Sequence, residues 1–200
     1  MFNMKNLFLR ALLALSIAIG APAALAGPVY HVSLDTSSLS GTGYLDLGFN
    51  GLGDGTRTAL ATITNFSGDF LTDAQPNGDV SGGIAGGVLL GNATGFNFFD
   101  QAISLGGLFS FDVSFETAAS GPGALFSVAL MNDTFDAYLG GDFNLLTIDL
   151  VPGETALIDV LEPGLASIAQ VAEVPEPGEW LLLATGLMLI AMTRRMRQRG

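Results

Sequence analysis

The residues that do covalent chemistry are scarce in this chain. There is one histidine, His31, and no cysteine among 200 residues. Thiol nucleophiles, thiolate metal sites and two-histidine zinc sets are therefore absent. No His-Glu-x-x-His motif and no Gly-x-Ser-x-Gly elbow occurs. A lone histidine near the start of an alternating segment reads as a surface strand residue, not as a catalytic base or ligand. Carboxylates are abundant, but no spacing singles out an acid/base pair of the kind glycosidases use. The expectation is a protein that is not an enzyme, with no cofactor and no assigned metal ligand. Structural Ca2+ takes oxygen ligands from loops, and its candidates are Asp69 with Asp73, or Asp133 with Asp136 and Asp142. No EF-hand spacing supports them. Aromatic rings stack on sugars, and Tyr30, Tyr44 and Tyr138 are the candidates for that role. Asn92-Ala93-Thr94 and Asn132-Asp133-Thr134 fit the glycosylation sequon, a pattern frequent by chance.

The elements that would position these groups are strands. Residues 108–116, LFSFDVSFE, alternate strictly, with Phe109, Phe111, Val113 and Phe115 on one side. A helix would scatter those four around its circumference, so the segment reads as a half-buried strand. Residues 29–34 place Tyr30, Val32 and Leu34 together, and 44–49 do the same for Leu45, Leu47 and Phe49. Further strands are expected over 58–66, 95–105, 125–131, 145–150 and 155–160, while 167–172 reads either as a last strand or as a free segment. The adjacent Phe98 and Phe99 imply burial on both faces or a bulge. Turn pairs such as Asn50-Gly51, Asn77-Gly78 and Gly106-Gly107 punctuate the series. Residues 71–92 are glycine-heavy and read as a long loop with at most a short strand at 88–90; no Gly-Lys-Ser/Thr makes them a phosphate loop. Residues 132–144 read as a hairpin loop or one helical turn. The fold expected is all-β, a single sandwich or jelly-roll-like domain over 27–172.

Charge is segregated. Residues 27–174 hold 17 acidic residues and one basic, Arg57, a net of −16. Such a body does not attract nucleic acid. Lys5 and Arg10 precede a short apolar core at 11–19, and Ala24 and Ala26 place small residues at a signal-cleavage site. Residues 1–26 thus read as a signal helix that engages the secretion translocon and signal peptidase. An exported chain without cysteine has no disulfides and must rely on its core.

The other end has three parts in fixed order. Pro175, Glu176 and Pro177 come first, an apolar run from Trp180 to Met192 follows, and Arg194, Arg195, Arg197 and Arg199 close it. As a helix that run is about 20 Å long, short against a hydrocarbon core of about 30 Å. The arginines act as a stop-transfer signal on the cytoplasmic side. Residues 173–200, with a transmembrane helix over 180–193, resemble the PEP-CTERM sorting signal. That resemblance implies a Gram-negative bacterium and processing near the motif by a membrane protease-transpeptidase, exosortase. Residues 30–50 look like the opening of a recurrent β-rich cargo type in the same family, which has no established activity.

Taken together, these features imply an exported, non-enzymatic surface or extracellular-matrix protein. It would reside transiently in the inner membrane through its C-terminal helix, then reach the outer surface in association with exopolysaccharide and biofilm. The alternatives are a carbohydrate-binding module or adhesin, and a single-pass anchored protein of another role.

Overall fold

The computed structural model describes residues 27–51 and 55–171, and Gly186. The signal-cleavage residues Ala24 and Ala26, the Pro175-Glu176-Pro177 motif, the helix expected over 180–193 and the four terminal arginines lie outside the described residues. Among the described residues no helix is long and apolar enough to cross a membrane.

Twelve strands are present among the described residues: β1 Val29–Asp35, β2 Thr42–Asn50, β3 Ala59–Ser67, β4 Phe70–Asn77, β5 Val80–Gly83, β6 Gly87–Gly91, β7 Phe98–Ser104, β8 Leu108–Thr117, β9 Ala124–Met131, β10 Leu146–Leu150, β11 Leu157–Val160 and β12 Ala166–Val171. They form two six-stranded antiparallel sheets, ordered β12-β1-β8-β3-β6-β5 and β11-β10-β9-β2-β7-β4. The first strands alternate between the sheets, so β1 and β3 lie in one and β2 and β4 in the other. Residues Gly27–Ala172 form one compact unit.

Alternation puts the large side chains between the sheets. Val32 and Leu34 from β1, Leu45, Leu47 and Phe49 from β2, and Phe109, Phe111 and Val113 from β8 are all buried. The rings bridge the layers. Phe115 of the first sheet lies 6.1 Å from Phe49 and 5.5 Å from Phe126 of the second. Phe70 of β4 meets Phe66 at 5.8 Å and Phe109 at 5.4 Å, both edge-on. Such pairs add to plain area burial. Gly68 sits at φ 145, and a Cβ there would collide with the Phe109 ring, so the bend between β3 and β4 requires glycine.

The expectation for residues 71–92 fails. Residues 71–92 are not a loop but β4, β5 and β6. Their glycines are the turns, with Gly78, Gly82 and Gly87 at φ of 79, 90 and 96. Their polar character reflects position, because β4 and β5 are the outermost strands of their sheets. Pro76 cannot donate to a ladder, and an edge strand tolerates it. The Phe98-Phe99 pair resolves as burial on both faces: β7 is buried from Phe99 to Ile103, and its register with β2 is unbroken. Residues 132–144 form the hairpin loop between β9 and β10, closed by a bridge from Met131 to Tyr138.

Phe126→Ala removes a fully buried ring from the centre of this core, and the expected cost is about 3–5 kcal/mol in urea unfolding of the full chain. Phe96→Ala, at a ring 77% exposed, should stay within about 0.5 kcal/mol.

Candidate functional site

The outward face of the second sheet gathers the chemistry. Tyr44 of β2 stands opposite Met131 of β9, and Met131 bridges to Tyr138. Phe135 lies over Tyr44 with ring centroids 4.4 Å apart, and Phe143 lies against Tyr138 at 4.8 Å. The hairpin loop thus extends the aromatic surface of the sheet beyond β9. Asn132 holds that loop: its side chain accepts from the Asp136 and Ala137 amides and donates to the Asp136 carboxylate. Thr42 donates to Asp133 at 2.8 Å and pins the loop to β2. A cleft of about 350 Å3 opens beside it, between Leu39, Thr42, Leu105, Asp133 and Leu139.

A polar edge borders the ring pair on the β4 side. Tyr44 donates its hydroxyl to Asp73 at 2.6 Å, and Gln75 donates to the Tyr44 oxygen at 3.4 Å. The hydrogen bond to Asp73 pushes the Tyr44 hydroxyl pKa up. Rings beside fixed carboxylate and amide groups form the kind of surface that takes a polyhydroxylated ligand, with apolar faces on the rings and hydroxyls on the polar rim.

One row further along, Asp46 of β2 pairs directly with Asp100 of β7. Asp46 is half-buried, and Asp100 is 4% exposed with its Oδ1 buried and without a hydrogen-bond partner. Burial pushes Asp46 up to about 6. Burial, and then the neighbouring Asp46 charge, push Asp100 up to about 7. A charge taken from water without compensation favours its neutral form.

The outward face of the first sheet behaves differently. His31 Nδ1 lies 2.6 Å from Asp112, and Asn65 donates to the other Asp112 oxygen at 2.7 Å. These two hydrogen bonds, Asn65's first, hold the Asp112 carboxyl below the usual range. A groove of about 540 Å3 runs beside them past Ser33, Ser110 and Ser167. Arg57 clasps Asp79 on the same sheet's β6 side, with Nε donating at 2.7 Å, and lowers that carboxyl also.

The sequence candidates divide accordingly. Tyr44 and Tyr138 lie on one surface, as a sugar-stacking role requires. Tyr30 does not: it is 5% exposed, packed 6.2 Å from Phe115 in the core. Its inward position follows from the same alternation that buries Val32 and Leu34. Among the described residues no three acidic or histidine side chains converge on a metal. Asp136 is engaged by Asn132 and Thr134, and Asp133 by Thr42. Asn92 is buried, and its side chain accepts from the Thr58 and Ala59 amides and donates to the Thr58 hydroxyl, which closes that sequon to modification. Sequence reading missed Asp46 and Asp100. The available signal was a carboxylate inside an apolar run in each strand, TGYLDLGF and NFFDQAI. No family model, no curated protein and no solved structure matches the chain.

The paired carboxylates predict a pH dependence. Their folded pKa values lie above the unfolded value, so the folded state holds protons that the unfolded chain releases. In metal-free buffer, stability should be greatest near pH 4 and fall as pH rises through about 7. The slope should approach about 1.4 kcal/mol per pH unit for each proton lost. Urea titrations from pH 4 to 8 test this, and Asp100→Asn should flatten the profile.

Proposed function

We propose that this chain is an exported, non-enzymatic surface or matrix protein whose body, a jelly-roll-like sandwich, holds extracellular polysaccharide on its second sheet. The signal at residues 1–26 takes it through the secretion translocon, and signal peptidase cuts after Ala26. The C-terminal helix then holds it in the inner membrane, with Arg194, Arg195, Arg197 and Arg199 on the cytoplasmic side. Exosortase processes it near Pro175-Glu176-Pro177 and releases the body toward the outer surface.

The observation that supports a sugar ligand is the aromatic surface of Tyr44, Phe135, Tyr138 and Phe143, with Asp73 and Gln75 at its rim. The two ring pairs, linked through Met131, offer two stacking places, which suits a polymer better than a monosaccharide. The net charge of −16 over residues 27–174 favours a neutral glycan, or an anionic one bridged by cations. The support for sorting is the order of motif, apolar run and arginines in the tail.

Two experiments test the halves separately. Replacing Pro175-Glu176-Pro177 with alanines should leave full-length protein in the inner membrane, and normal processing would refute the exosortase assignment. On a glycan array the full chain should bind a polysaccharide saturably. Tyr44→Ala or Phe143→Ala should then raise Kd about tenfold or more, about 1.4 kcal/mol. Undiminished binding by both variants would remove the ligand from this surface.

A further inference from the structure

Asp46 and Asp100 are direct partners on neighbouring strands, so their Cβ atoms lie about 4.5–5.5 Å apart on one face. Their row continues to Ala129 on β9 and Gln75 on β4, neither of them a cation. The basic groups of the body are committed elsewhere. Arg57 holds Asp79, and His31 holds Asp112 on the other sheet. A buried carboxylate is ordinarily paired, protonated or bound to a metal. Asp100 Oδ1 is buried and unpartnered, and it lies beside a second carboxylate.

The neighbouring row supplies a further oxygen. Gly48 stands opposite Ser127 on β9. A Cβ at Gly48 would lie 2.5 Å from Ser127 Oγ, 3.6 Å from Asn50 Nδ2 and 3.8 Å from Asp46 Oδ1. Glycine at this position lets the Ser127 hydroxyl lie over the strand, close to the Asp46 carboxylate and beside the pair. Ser127 is itself buried.

We infer that Asp46 and Asp100, with Ser127 beside them, form a binding site for one hard divalent cation, Ca2+ in preference to Mg2+. Two carboxylates, a hydroxyl and water give the all-oxygen, irregular set that Ca2+ accepts, whereas Mg2+ demands a near-ideal octahedron. The site lies in the middle of two adjacent strands, so its spacing is fixed by the sheet. Two carboxylates instead of three or more put the affinity in the weak range of extracellular modules, about 10^-4 to 10^-3 M. This site is separate from the loop carboxylates Asp133 and Asp136, and the inference does not depend on sugar binding.

The test is thermal unfolding of the full chain in detergent at pH 7.5, in EDTA and in Ca2+ or Mg2+. About 10 mM Ca2+ should raise Tm by about 3 °C or more, and Mg2+ by less. Asp100→Asn and Asp46→Asn should each raise Tm in EDTA, by relieving repulsion, and each abolish the Ca2+ increment. Asp133→Asn should keep it. Calorimetric titration of the unaltered chain, which needs no variant to fold, should give one site. No Ca2+ increment and no heat would overturn the site and leave the pair sharing a proton. An increment that survives Asp100→Asn and Asp46→Asn, or that Asp133→Asn abolishes, would overturn it equally.

Discussion

Everything in this body depends on closing one apolar layer between two sheets that the chain builds in alternation. Consecutive strands β1 to β4 go to opposite sheets, so neither sheet is complete until most of the chain is in place. The central pairings join distant segments: β1 with β8, β3 with β8, and β2 with β9. Closing such loops costs entropy before the contacts repay it. The repayment is concentrated in rings that touch across the layer, Phe49, Phe115 and Phe126 at one place and Phe66, Phe70 and Phe109 at another. With no disulfide to restrain the unfolded chain, the packing of those rings carries the stability.

Buried amides finish what the rings begin. Asn97 donates to the Phe49 and Thr94 carbonyls and accepts from the Asp79 amide, tying β2, the turn before β5 and the start of β7 together. Asn92 does the same between β3 and the end of β6. Both occupy places where the chain leaves a sheet and its backbone groups lose their ladder partners. An unpaired buried amide or carbonyl there would cost about 1–3 kcal/mol, so the side chains act as substitute strands.

The fold was legible where one face of a strand is wet. Residues 108–116 and 44–49 write their orientation as large apolar residues at every second position, and both lie as that pattern requires. Residues 71–92 were illegible because β4 and β5 bury almost nothing; edge strands stacked on one side only need no apolar stripe, and their glycines look like a loop's. The candidate site was half legible. Tyr44 and Tyr138 were visible as aromatic candidates, but what unites them is the Met131–Tyr138 bridge and the register of β2 with β9, neither of which is local in sequence. Tyr30 shows the converse, a residue whose chemistry suggested a surface while its alternation placed it in the core.

The asymmetry of the two outer faces is the strongest clue to where the chain meets another molecule. On the first sheet the half-buried carboxylates have partners: Asp112 has His31 and Asn65, and Asp79 has Arg57. On the second sheet Asp46 and Asp100 have only each other. Aspartate is a poor strand former, and two of them opposite one another in mid-sheet oppose both local propensity and electrostatics. The surrounding strand is otherwise consistent, with Leu45, Leu47 and Phe49 fully buried on the other face. A strand that satisfies pattern and packing along the rest of its length, and breaks the rules at one paired position, is giving up stability locally. Such places are where function is expected. The pair lies one row from Tyr44 on the same strand and face, so the uncompensated charge and the aromatic surface are parts of a single rigid element. A cation bound there would offset the charge of the pair within that element.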